Sequence, residues 1–210
     1  MFKRQEFSNI IEQGIEFDLL SSFRPEKFLN SVKNHLVLFY EESMYAKRIM
    51  YQFIKNGLAN GESCIYAMDE EPELVEREML DFGIDTIKFK EKNLLHIYQT
   101  ELITNFNNII QVAKNTLGKF FADSQPPYRI VSRIVPQVNT KEGIMTEIKL
   151  EKWFQSNFSQ YDCTFLCPYL ISKIESINHN EWMQELVDTH HIVILAPSSE
   201  TGFAFKHYNN

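Results

Sequence analysis

The sequence predicts an α/β fold, a three-layer α/β/α sandwich on a mostly parallel sheet, and three observations lead there. Short apolar runs such as HLVLFY, SCIYAM and HIVIL alternate with amphipathic stretches of helical period. Strands that alternate with helices are joined by right-handed crossovers, which place helices over both faces of the sheet. The chain has 210 residues, 44% of them hydrophobic and 13% aromatic, enough for one domain with a substantial core.

Residues 1–33 differ in character from the rest of the chain. Phe7, Ile10, Ile11, Ile15, Leu19 and Phe23 recur at mostly helical spacing, and a second short helix is expected from about Pro25. The segment is too short to fold alone. It reads as a helical N-terminal arm packed on the main body, or as an arm for dimerisation or partner docking. The main domain is expected over residues 34–210.

In the main domain, HLVLFY is a buried strand, Met44 to Asn56 a helix ended by Gly57 or Gly61, and SCIYAM a second buried strand. DEEPELVEREMLDFGI opens with acidic residues, which favour the positive end of a helix dipole, and stops at Gly83. NLLHIYQTE is a strand, followed by a helix from about Leu102 to Leu117. After the loop ADSQPP come a strand in YRIVSRIV, a helix from Glu142 to Phe158, a strand DCTFLCPY ending at proline, a helix EWMQELVDTH and a strand HIVILAP. GFAFKHY adds a short edge strand.

The formal charge is −7, and no basic run could track a phosphate backbone, so nucleic acid is not an expected direct partner. No stretch approaches the roughly 18 consecutive apolar residues of a membrane span. Three cysteines, Cys64, Cys163 and Cys167, are too few and too odd for a disulfide framework. A cytoplasmic protein is expected.

In a parallel sheet the ligand lies beyond the carboxyl ends of the strands. A working phosphate loop would need glycines, a lysine and a Ser/Thr there, yet the segment after the first strand is FYEESMYAKR, without glycine. Glu41 and Glu42 stand where phosphate charge would sit, so ATP hydrolysis is disfavoured. Tyr40, Glu41, Asp69, Glu70, Arg133, Cys167, Tyr169 and His190 are the expected ligand-binding set: an acidic crevice with tyrosines that combine apolar bodies and polar tips, and an arginine able to hold a carboxylate. No catalytic residue, metal site or cofactor is predicted. Cys163 and Cys167 would lie about 13 Å apart on one strand. His35, His96 and His179 are scattered relative to His190 and His191.

The run HLVLFYEESMYAKRIMYQFIKNGLANGESCIYAMDEEPE resembles the opening of RecA/KaiC-type ATPase domains, with its strand, helix, GL..GE turn and acidic strand end. It looks still more like the MEDS domain, the sensory domain of methanogens, methylotrophs and DcmR-type regulators. RIVSRIV, LEKWFQSNF, CTFLCPY and THHIVIL continue the likeness over about Asn34 to Phe205, although PQVNTKEGIM replaces the acidic turn many relatives carry. The resemblance implies a RecA-like sandwich acting as a non-catalytic sensor of a small organic ligand, proposed for the family to be a hydrocarbon derivative. It also implies a signalling partner, a kinase or transcription regulator, and the arm could build a homodimer. The alternatives are a KaiC-like nucleotide-binding protein or ATPase with a degenerate phosphate loop, and a pure protein-interaction module.

Overall fold

The computed structural model describes residues 26–100, 106–133, 139–175, 180–197 and 203–206. Helix α1 (Glu26–Leu29) precedes strand β1 (His35–Tyr40), helix α2 (Ser43–Ala59), β2 (Ser63–Met68), α3 (Pro72–Asp81), α4 (Thr86–Glu91) and β3 (Leu95–Gln99). Then come α5 (Ile109–Ala122), β4 (Tyr128–Ser132), α6 (Lys141–Asn157), a 3-10 turn (Phe158–Gln160), β5 (Cys163–Leu170), α7 (Ile171–Glu175), α8 (Asn180–Asp188), β6 (Ile192–Ala196) and β7 (Phe203–Lys206). The expected elements at residues 1–25, residues 102–105 and the continuation of the RIV strand lie outside the described residues; the helix expected over Leu102 to Leu117 begins at Ile109, after Asn108 in the left-handed region, and runs to Ala122.

The seven strands form one sheet in the order β3-β2-β4-β5-β1-β6-β7. All pairings are parallel except β6 with β7. Right-handed crossovers tie the direction of each step to a face. The steps β1 to β2 and β2 to β3 run toward the β3 edge, and their helices α2 and α3 pack with α1 over Leu36, Leu38, Tyr66, Val131 and Ile194. The steps from β3 through β4 and β5 to β6 run the other way, and α5, α6 and α8 pack over Val37, Phe39, Ile65, Ile130, Phe165 and Val193. Chain direction therefore reverses between the neighbours β1 and β5, and again between β2 and β4. These are the switch points where crevices open at the carboxyl edge.

Of the two glycines expected to end α2 the structure uses Gly61, and it adds an unexpected helix, α4. Gly57 does not end α2 but lies inside it, buried. The helix ends at Gly61, whose φ of +76° is left-handed. Helix α4 forms between Gly83 and β3, where Asp85 caps it by accepting a hydrogen bond from the Lys88 amide at 3.1 Å.

The strand DCTFLCPY does not stop at its proline. Pairing with β4 ends at Leu166, while pairing with β1 continues to Leu170. The Phe165 amide donates to the Asn34 carbonyl on the β1 side, so alternation turns position 168 toward β4, where no strand partner remains among the described residues. Pro168 thus costs no ladder bond, and Cys167 is an interior strand residue rather than the strand end.

Candidate functional site

At the carboxyl edge only Glu41 and Glu42 separate β1 from α2. A phosphate loop wraps its ligand with consecutive free backbone amides. Here the Glu42 amide donates to the Pro197 carbonyl at 3.2 Å and the Ala46 amide to the Glu42 carbonyl at 3.0 Å, within a helix already under way. Lys47, four residues into that helix, is held by Glu70 and Glu78, each at 2.6 Å. Burial works against its charge, yet those two carboxylates outweigh it and raise its pKa.

The acidic residues expected to line one crevice are divided by the fold. Glu41 and Asp69 are exposed. Glu70 is turned back against Lys47 and accepts from the Tyr66 hydroxyl at 2.8 Å. The tyrosines divide as well: Tyr40 and Tyr66 belong to the α2 face, Tyr98 and Tyr169 to the α6 face. Tyr40 is half-buried, and burial raises its phenol against the opposing Arg133 charge.

Beneath α6 the structure gathers a second set. Glu147, Glu151 and Gln155 recur at four-residue spacing on the buried stripe of this helix, beside Ile144, Ile148 and Phe154. The Tyr169 hydroxyl of β5 lies 2.7 Å from Glu147 Oε1 and also hydrogen-bonds Glu151 Oε1. Glu151 Oε2 is 3.2 Å from His35 Nε2 and 3.7 Å from His190 Nε2. Cys167 Sγ lies 3.4 Å from His35 Nε2. Gln155 closes the row, 3.1 Å from His35 Nδ1 and 2.8 Å from His191 Nε2.

Three sequence expectations are corrected here. His190 precedes β6, so it stands at the amino end of the strands and not at the carboxyl crevice. His35 is not scattered: its ring and that of His190 have centroids 3.9 Å apart. Cys167 and Tyr169 face the same helix and reach His190 through Glu151. One donor atom from each of His35, Glu151, Cys167 and His190 lies within 4.8 Å of all the others, and all four residues are buried.

Electrostatics within this cluster are strong. Burial penalises the Glu151 carboxylate, but the His190 and His35 imidazoles and the Tyr169 hydroxyl hold it in the ionised form. Burial, and then His35, push His190 down to about 3, so it is neutral at ordinary pH. Burial and the two glutamates raise the Cys167 thiol well above its usual value.

Next to the cluster is a cavity of about 20 Å³, room for roughly one water. Its apolar lining comes from Ala113, Leu117, Leu150, Phe154 and Phe165, and its polar lining from Ser132, Arg133, Glu147, Glu151 and Cys167. Arg133 is only 6% exposed. Its Nε and Nη1, and the buried Ser132 Oγ, have no hydrogen-bond partner among the described residues.

Of the eight expected site residues, Arg133, Cys167, Tyr169 and His190 thus meet around Glu151 and the cavity. Tyr40, Glu41, Asp69 and Glu70 do not line that cavity, although Tyr40 lies within electrostatic reach of Arg133, Asp69 and Glu70. Sequence reasoning missed His35, Glu147, Glu151 and Gln155 as a group. Three polar side chains on the apolar stripe of α6 were the available signal.

Sheet order, crossovers and the filled phosphate loop define a RecA/KaiC-like α/β domain whose polar interior lies under a helix. The crystal structure of the KaiC-like protein PH0186 from the hyperthermophilic archaeon Pyrococcus horikoshii OT3 is similar, with a TM-score of 0.54 and 15% identity over 78% of this chain and 71% of that one. None of the curated proteins compared matches the chain. The model of the MEDS family, the methanogen/methylotroph, DcmR sensory domain, matches residues 34–191. The chain belongs to the MEDS family, a family of sensory domains. No helix among the described residues is long and apolar enough to cross a membrane.

Proposed function

We propose that this chain is a non-catalytic sensor that binds a very small organic molecule beside Arg133, at the end of β4, and signals to a partner protein such as a kinase or transcription regulator. The observation that carries the reading is the buried guanidinium whose Nε and Nη1 go unused. A buried donor without a partner is costly, on the order of 1–3 kcal/mol, and a ligand acceptor would satisfy it. The rest of the lining, apolar walls with the Ser132 hydroxyl, the Cys167 thiol and the Glu147 and Glu151 carboxylates, supports a short carbon skeleton with a single polar end turned to Arg133. The cavity of about 20 Å³ holds roughly one water as it stands, so a ligand of a few heavy atoms has to widen it, and a drug-sized one, which needs roughly 300 Å³ or more, does not fit.

The nucleotide-hydrolysing alternative has less support. A two-residue connection between β1 and α2 is too short for a glycine-rich cradle, the Glu42 amide is bonded to the Pro197 carbonyl, and Lys47 is already neutralised. The test is a thermal-shift screen of short-chain carboxylic acids, alcohols and halides, with ATP and magnesium alongside. A specific ligand at 100 times its dissociation constant stabilises by about 2.7 kcal/mol. The shift is expected for a short organic compound and is expected to vanish in Arg133→Met. A shift by ATP alone, accompanied by turnover, would replace this reading with the enzymatic one.

A further inference from the structure

The four buried groups under α6 have the geometry of a closed transition-metal centre. We propose that His35, Cys167, Glu151 and His190 bind a single zinc-class divalent ion. The site shares Cys167 and Glu151 with the lining of the ligand cavity but uses neither Arg133 nor an organic ligand, so it does not depend on the ligand reading above.

Three features support the assignment. Zinc bonds of about 2.0–2.1 Å to nitrogen or oxygen and 2.3 Å to sulfur give tetrahedral edges of about 3.3 Å between N/O donors and 3.6 Å to sulfur. The observed separations are 3.2 Å for His35 Nε2 to Glu151 Oε2, 3.4 Å for His35 Nε2 to Cys167 Sγ and 3.7 Å for His190 Nε2 to Glu151 Oε2. Three of the six donor separations thus come close to the edges of one tetrahedron, and all six lie within 4.8 Å, so a small inward movement of the side chains would close the shell.

The second feature is orientation by outer partners. His35 Nδ1 lies 3.1 Å from the Thr189 carbonyl, and His190 Nδ1 lies 2.6 Å from the Leu186 carbonyl. A carbonyl only accepts, so each Nδ1 carries its proton and donates it. That leaves each Nε2 to face the cluster, the arrangement metal-binding histidines adopt through backbone carbonyls. His190 Nε2 is buried and makes no hydrogen bond. It faces Glu151 Oε2 at 3.7 Å, too far for a hydrogen bond and close to the separation of two ligands of one ion.

The third feature is charge. Metal binding deprotonates a thiol outright. A Cys167 thiolate, the Glu151 carboxylate and a dication sum to zero, so the loaded centre is neutral in an interior that disfavours net charge. The sulfur and imidazole donors select zinc or cobalt over magnesium or calcium. A water-sized cavity lies beside the cluster, lined in part by Cys167 and Glu151.

The experiment is metal analysis and cobalt spectroscopy on the full chain. Native mass spectrometry of zinc-supplemented, desalted protein is expected to give one zinc per chain. Reloading the stripped protein with cobalt is expected to give tetrahedral visible bands and a near-ultraviolet thiolate-to-cobalt band. Cys167→Ser is expected to lose the thiolate band, and His190→Gln to weaken zinc by at least about tenfold. Arg133→Met is expected to leave metal loading intact even if it removes organic-ligand binding, so the two readings fail separately. If the variants do not fold, X-ray absorption of zinc-loaded wild type decides, with one sulfur among N/O neighbours expected. Sub-stoichiometric zinc, a zinc shell without sulfur, or a thiolate band that persists in Cys167→Ser would overturn the proposal and leave His35 and Glu151 as a buried ion pair.

Discussion

Arg129 and Arg133 stand four residues apart, one within β4 and one just past its end, and both are buried. Arg129 makes four hydrogen bonds: Nε and Nη2 to the two oxygens of Glu62 at 2.7 and 2.9 Å, Nη1 to the Leu29 carbonyl at 2.7 Å and Nη2 to the Ser31 carbonyl at 3.2 Å. Its guanidinium also lies over the Phe53 ring. Arg133 faces a cavity with Nε and Nη1 unused. The first arginine ties the segment after α1 to the sheet and is complete in itself. The second leaves two donors without a partner among the described residues, and the proposed ligand site rests on that difference.

The comparison breaks most sharply on removal of each side chain. Arg129→Met leaves the Glu62 carboxylate buried and unpaired, and a loss of about 3–5 kcal/mol is expected in urea denaturation. Arg133→Met removes a cation whose Nε and Nη1 make no hydrogen bonds, so a change under about 1 kcal/mol is expected, of either sign. Equal losses at the two positions would show that Arg133 is structural.

The same corner shows what the sequence could and could not convey. The GL..GE turn is legible as a turn, and Gly61 at φ +76° behaves as one. The reason for Gly57 was not legible. A Cβ there would lie 2.4 Å from Arg129 Cδ and 2.7 Å from Cys64 Sγ, so this glycine makes room for an arginine elsewhere in the chain. Glu62 closes the motif as the partner of that arginine, 67 residues away. Local periodicity gave the strands and helices because burial imposes it locally. Pairings across the sheet leave no such trace, and for that reason His35 and His190 looked unrelated. Gly57→Ala is expected to cost about 1–3 kcal/mol through crowding of the Arg129–Glu62 pair. Wild-type stability in that variant would mean that Arg129 can shift without penalty.

The two faces of the sheet differ as the two arginines do. On the α2 face Lys47, Glu70, Glu78, Tyr51 and Tyr66 satisfy one another at the rim, with the Tyr51 hydroxyl donating to Glu78 at 2.6 Å. On the α6 face the polar groups surround a cavity and an unpartnered imidazole nitrogen. A self-satisfied network should answer to pH alone, and modestly. Burial tends to raise the Glu78 carboxyl, but hydrogen bonds from Lys47 and Tyr51 with the Lys47 charge hold it below the usual carboxylate range. Its contribution is therefore complete above the unfolded value of about 4.3 and is lost as pH falls through the lower folded value. Because these side chains are partly solvated, the contribution is at most about 1 kcal/mol. Lys47→Met is expected to flatten that part of the stability profile below about pH 4.3 and to leave cobalt binding under α6 unchanged. A variant that also disturbed the cobalt spectrum would show that the two faces are coupled through the sheet.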